Sequence, residues 1–134
     1  METALQRAVR NRAKHRCEYC HFPEAFAEAP FHVDHIISRQ QGGGDEIENR
    51  ALACCFCNRF KGPNLSGVDT ESDRVVRLFH PRESVWAEHF TWNGTLLVGR
   101  TPTGRATIQA LRLNRSDAVA VRTLLLREGA YLLD

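Results

Sequence analysis

Apolar and polar positions change period several times along the chain, and each change marks a predicted element. Ala4, Leu5, Ala8 and Val9 recur at helical spacing, so a helix is expected over residues 2–15 with these side chains inward. FHVDHII (31–37) reads as a strand instead, with apolar β-formers at Phe31, Val33, Ile36 and Ile37. A glycine-rich loop, RQQGGGDE, follows it. A short second strand is expected near Arg50–Ala53 and a helix over Cys54–Lys61, which Gly62-Pro63 stops. Beyond Pro63, RVVRLF (74–79) and TLLVGR (95–100) look like strands, the latter joined to the preceding EHF by a turn at WNG (92–94). Residues 103–113 and 116–128 read as helices, the second with Val119, Leu124, Leu125 and Leu126 on a broad apolar side.

The strand at 31–37 is awkward as a core element. It carries His32, Asp34 and His35, and a buried imidazole or carboxylate needs partners. Composition does not explain them. The chain has 134 residues, 43% hydrophobic and 25% charged, in keeping with an ordinary globular domain. No apolar run approaches the ~20 residues that span a bilayer, and the polar N-terminus lacks a leader's apolar stretch, so a cytoplasmic protein is expected. The net charge is only +2, but Arg7, Arg10, Arg12, Lys14 and Arg16 crowd the first helix. Arg7, Arg10 and Lys14 are spaced i, i+3, i+7 and share one face, either a solvated surface or a phosphate-facing ridge.

Cysteine spacing is more informative. Cys17-x-x-Cys20 and Cys54-x-x-Cys57 are two knuckle-like pairs, able together to close a tetrahedral structural zinc site. An odd total of five cysteines argues against a disulfide framework. Cys55 is left over and is expected to be a packed free thiol. The 33 residues between the pairs exceed a compact zinc ribbon, so the strand with His32, Asp34 and His35 is an insert between the knuckles.

Read in order, DHI (34–36), the glycines at 42–44, Asn49, then C-x-x-C-N-x-x-K-G (54–62) resemble the HNH nuclease family over residues 15–62. LFHPR (78–82), W-x-x-HF (86–90) and GRAT (104–107) are also similar to standalone bacterial members, with no chemical role attached. The resemblance implies an α+β fold: a ββα-metal, treble-clef-like core with a structural zinc, plus a C-terminal α/β extension. The core with its basic helix takes residues 1–62, and the extension, 63–134, is expected to pack on it as one compact unit.

The activity implied is metal-dependent hydrolysis of phosphodiester bonds in DNA, leaving 5′-phosphate and 3′-hydroxyl ends. His35 matches the general base, and an imidazole suits removing a proton from water near neutral pH. Asp34 and Asn58 match the ligands of a catalytic Mg²⁺ or Mn²⁺, a metal that takes few protein oxygens. Asn49 matches a hydrogen-bonding brace of the base's loop. Lys61, His32, Arg7, Arg10 and Lys14 are candidates for substrate contact. In a regular strand Asp34 and His35 point to opposite faces, so a bend or strand end between them is expected if both meet one phosphate. The partner expected is double-stranded DNA, with no membrane and a monomer or weak dimer. The alternative is a zinc-stabilised module that holds nucleic acid without cutting it. Of the other histidines, His15 and His21 are expected at the surface and His80 and His89 in packing.

Overall fold

A computed structural model describes residues 1–129. The chain folds into two compact units, one of Met1–Leu65 with His80–Ser84, the other of Ser66–Phe79 with the described residues from Val85. The sequence boundary at residue 62 leaves His80–Ser84 in the extension, whereas in the structure this segment belongs to the first unit.

The first unit opens with helix α1 (Ala4–Arg12). A capping box starts it: Gln6 N donates to Thr3 Oγ1 at 3.1 Å and Thr3 N to Gln6 Oε1 at 2.8 Å, satisfying two exposed amides of the first turn. Of the expected inner side chains, Val9 alone is buried; Leu5 is half-buried and Ala4 and Ala8 are exposed. The helix ends three residues earlier than the pattern suggests, because Lys14 and His15 both take left-handed backbone, φ 56° each. Strand β1 (His32–His35) then pairs antiparallel with β2 (Arg50–Ala53) in the register His32–Ala53, Val33–Leu52, Asp34–Ala51, His35–Arg50. Helix α2 (Cys55–Lys61) follows at once and packs on both strands. Ala51 and Ala53 are fully buried and share the Asp34 face, where their small side chains admit the helix.

The HPRES turn (80–84) is tied into this unit by charge. His80 Nδ1 accepts from Arg82 N and Glu83 N at 3.1 and 3.2 Å, and Arg82 forms an ion pair with Glu18. Glu18 also takes the Leu52 amide at 2.8 Å and gives its own amide to the Leu52 carbonyl at 2.8 Å, closing the free edge of β2.

The second unit contains two hairpins and three helices among the described residues. β3 (Ser66–Val68) pairs with β4 (Val75–Arg77), and β5 (Phe90–Asn93) with β6 (Leu96–Gly99). The expected strand at 74–79 pairs with β3, which the sequence pattern leaves unread. The one at 95–100 pairs with the segment the pattern joined to it, but Trp92 and Asn93 extend that strand and the turn falls at Gly94–Thr95. Helices α3 (Trp86–His89), α4 (Pro102–Ala110) and α5 (Ser116–Arg127) complete it. Buried Asp69 closes the β3–β4 turn. It accepts from the Ser72 hydroxyl at 2.6 Å and from Arg105 of α4 at 2.7 Å, and these bonds hold its carboxyl well below the usual range. In α5 the buried side chain is Arg122, which donates to the Leu113 carbonyl at 2.6 Å and lies over Trp92; Leu124 is 54% exposed.

Candidate metal centre and active site

Cys17, Cys20, Cys54 and Cys57 are buried, and their sulfurs lie within 4.8 Å of one another. The first pair sits in a knuckle where Cys20 N donates to Cys17 Sγ at 3.5 Å; the second starts α2, Cys57 N donating to Cys54 Sγ at 3.4 Å. With zinc–sulfur bonds of about 2.3 Å a tetrahedron has edges of about 3.8 Å. The Cys20–Cys54 sulfur separation is 3.8 Å. The donor chemistry fits as well. Burial pushes the Cys17 thiol well up, whereas hydrogen bonds from Cys17, Cys20 and Cys57 drive Cys54 far down. A dication at their centre would allow all four to be thiolates. The cluster is compatible with a structural zinc. Cys55, expected to be packed, is exposed instead: as the first residue of α2 it points away from the strands its neighbours cover.

The cysteine cluster fixes the start of α2, and one turn later comes Asn58. Its amide, nitrogen turned toward β1, donates to both carboxylate oxygens of Asp34, at 3.2 and 2.9 Å. The fold therefore brings together the two residues expected to hold a second metal. Lys61 lies one turn further on. It is 2% exposed, and its Nζ donates to the Ile36 carbonyl at 2.7 Å; burial pulls its ammonium below the usual lysine range, with Asp34 opposing. It holds the chain just beyond His35 and does not project into solvent.

His35 takes a different partner. Asp34 shares its face with Ala51 under α2, while His35 shares the other with Arg50. The bend comes at Ile36–Ile37, after both residues and not between them. His35 Nε2 lies 2.8 Å from Asp45 Oδ1, in the glycine loop. Arg39 reaches the same oxygen through Nε at 3.0 Å and Nη2 at 2.9 Å, and Arg50 Nη2 stands at 3.7 Å. The His35 bond, then that of Arg39, holds the Asp45 carboxyl below its ordinary range. Sequence reasoning missed Asp45, Arg39 and Arg50, since their meeting depends on how the loop folds back.

Asn49 determines that folding. It is buried, its Oδ1 accepts from Ile37 N at 3.0 Å, and its Nδ2 donates to the Ile37 and Gly44 carbonyls at 2.9 and 2.8 Å. One amide thus ties both ends of the loop together.

The basic ridge does not form as one row. Lys14 lies beyond the end of α1, and Arg10 is engaged internally with Glu2 at 3.0 Å, Glu24 at 3.1 Å and the Phe31 carbonyl at 3.0 Å. Arg7 stays 61% exposed, 3.6 Å from Glu2. Arg12 donates to the Ile47 and Arg50 carbonyls, so α1 braces the sheet through its arginines. His32, opposite Ala53 at the start of β1, is exposed.

A cysteine knuckle, a hairpin and a second knuckle opening a helix are the order of parts that family comparison resolves. Residues 17–64 match the HNH endonuclease family model. The matched segment runs from the first cysteine of the cluster to just past α2 and contains every candidate residue of the site except Arg7 and Arg10 of α1 and Lys14 beyond it. No curated protein and no solved structure gives a significant match to the chain. The HNH segment suggests a nuclease-type or nucleic-acid-binding function, and no described helix is long and apolar enough to cross a membrane.

Proposed function

We propose that the chain is a metal-dependent HNH endonuclease hydrolysing phosphodiester bonds in DNA, built on a ββα-metal core of β1, β2 and α2. The observation that carries the reading is the pairing of Asp34 with Asn58 beside the four-cysteine cluster. Ligand oxygens on adjacent vertices of an octahedral Mg²⁺ lie about 3 Å apart. The Asn58 amide stands 2.9 Å from an Asp34 oxygen, so a half-turn of that amide offers a second oxygen donor at a suitable separation. A hydrated Mg²⁺ or Mn²⁺ held there would supply charge neutralisation to the phosphate and the departing oxygen.

The scissile phosphate would lie across the end of β1, which stops at His35 just before the bend at Ile36–Ile37, so that groups on both faces of the strand reach it. The chain's own groups do the rest. His35 accepts a proton from the attacking water, whose oxygen bonds to phosphorus as the bond to the 3′ oxygen breaks. The leaving oxygen is protonated from solvent, giving 5′-phosphate and 3′-hydroxyl ends. Asn49 holds the loop facing His35, and Lys61 anchors the Ile36 carbonyl next to it. Arg7, Lys14 and His32, all exposed, remain candidates for the nucleic-acid backbone, whereas Arg10 serves the fold.

The test is nicking of supercoiled plasmid in Mg²⁺ or Mn²⁺ against EDTA, by wild type and by His35→Ala and Asn58→Ala with zinc content verified. Cutting that needs the metal and is lost in both variants is the expected result. Folded wild type that binds DNA without cutting it in either metal would make the chain a zinc-stabilised binding module instead.

A further inference from the structure

The Asp45 side chain is 59% exposed, yet His35, Arg39 and Arg50 converge on one of its oxygens. An exposed carboxylate ordinarily holds its partners loosely. This one is presented by a fixed backbone. The Gly44 carbonyl, immediately before it, accepts from Asn49 at 2.8 Å, and its own carbonyl accepts from Arg50 Nε at 3.3 Å. Gly43 lies so close to the chain beyond β1 that a Cβ there would stand 1.8 Å from the Ile37 oxygen. The same buried amide, Asn49, therefore fixes both the loop carrying Asp45 and the residues that follow His35.

We infer that Asp45 is the positioning residue of His35. It accepts the Nε2 proton at 2.8 Å, setting the ring's orientation and tautomer, and leaves Nδ1 as the nitrogen that receives the proton of water. Arg39 and Arg50 keep the carboxylate in place so that it does not swing into solvent. The inference rests on the nuclease reading above and adds to it a named partner and a named nitrogen. The proton leaves water for Nδ1 and passes from there to solvent, and Asp45 stays ionised throughout.

The experiment combines nicking kinetics with long-range ¹H–¹⁵N spectra of the imidazoles, the His35 signals assigned by their absence from His35→Ala. Zinc content and near-ultraviolet circular dichroism verify the fold of each variant. In wild type at about pH 8 His35 is expected as the Nε2–H tautomer, the form its bond to Asp45 selects. Asp45→Ala should mix the tautomers and lower kcat by about 10- to 100-fold with KM within about twofold, and Asp45→Glu should recover part of the loss. Wild-type rate and an unchanged tautomer in Asp45→Ala, with His35→Ala inactive, would overturn the inference and leave the nuclease reading standing. A faster Asp45→Ala would also overturn it, identifying Asp45 as an internal rival of the substrate phosphate for Arg39 and Arg50. If wild type itself never cuts, the nuclease reading and Asp45's catalytic role fall together. The ring-orienting contact is then decided by the tautomer alone, its persistence in Asp45→Ala refuting it.

Discussion

At the scale of single residues, the site depends on polar groups whose bonds are nearly all internal. Asn49 is the clearest case, because its amide satisfies the Ile37 N–H and two carbonyls in a place water does not reach. Leaving a buried donor or acceptor unpaired costs about 1–3 kcal/mol each. Asn49→Ala is expected to lose about 3 kcal/mol in urea unfolding, after partial relaxation of the loop. Asn49→Asp should be no better, since a carboxylate would face two carbonyl oxygens. Glu24 gives a prediction in pH. Burial would raise its carboxyl, but the Phe31 amide at 2.8 Å and Arg10 outweigh burial and hold it below the ordinary value of 4.5. A carboxyl lowered in the folded state adds stability that is complete above 4.5 and is lost as pH falls through the lower folded value. Stability against urea should therefore drop on acidifying from about pH 5, and Glu24→Gln should be less stable at neutral pH with a flatter acid limb.

At the scale of elements, what the sequence revealed and what it hid divide along physical lines. The hairpin β1–β2, helix α2 and the cysteine pairing were legible because alternation, Gly62 and C-x-x-C spacing are local signals. The family pattern also singled out Asn49, and its amide bonds both ends of the loop. Other features were not legible, because they depend on long-range closure. The ridge of Arg7, Arg10 and Lys14 assumed a helix continuing to residue 15, but left-handed backbone at Lys14 ends it, and Glu24 recruits Arg10 from 14 residues away. Lys61, read as a phosphate contact, is drawn under the strand by a carbonyl 25 residues earlier. In α5 the leucines suggested a buried apolar side, while Arg122 is the side chain that is buried. The glycine loop makes an element-scale test. A Cβ at Gly42 meets nothing but sits at φ 90°, whereas one at Gly43 collides with the Ile37 carbonyl. Gly42→Ala should cost about 1–2 kcal/mol of backbone strain. Gly43→Ala must displace the loop, and is expected to cost more and to weaken nicking as Asp45→Ala does.

At the scale of the whole molecule, two units with separate buried cores suggest unequal dependence on metal. The first unit's core is built around the cysteine cluster: Cys17, Cys20, Cys54 and Cys57 are themselves buried alongside Val9, Tyr19, Phe31 and Leu52. Remove the cation and four sulfurs crowded within 4.8 Å lose the charge that holds them, so the knuckle, α2 and the strand edge that Glu18 closes should loosen together. The second unit's core is apolar and aromatic, with Phe79, Phe90, Leu97, Leu111 and Leu113, and its charged ties run through Asp69–Arg105 and Arg122. No cysteine lies beyond residue 57. Hydrogen exchange read by mass spectrometry should show this directly. A zinc-selective chelator is expected to strip protection from the amides of residues 50–61 first, while those of β6 and α4 keep theirs over the same interval. Simultaneous loss in both would mean that the metal stabilises the chain as one cooperative body. Unchanged protection at residues 50–61 in metal-free protein would mean that the cysteine cluster holds the fold by packing alone.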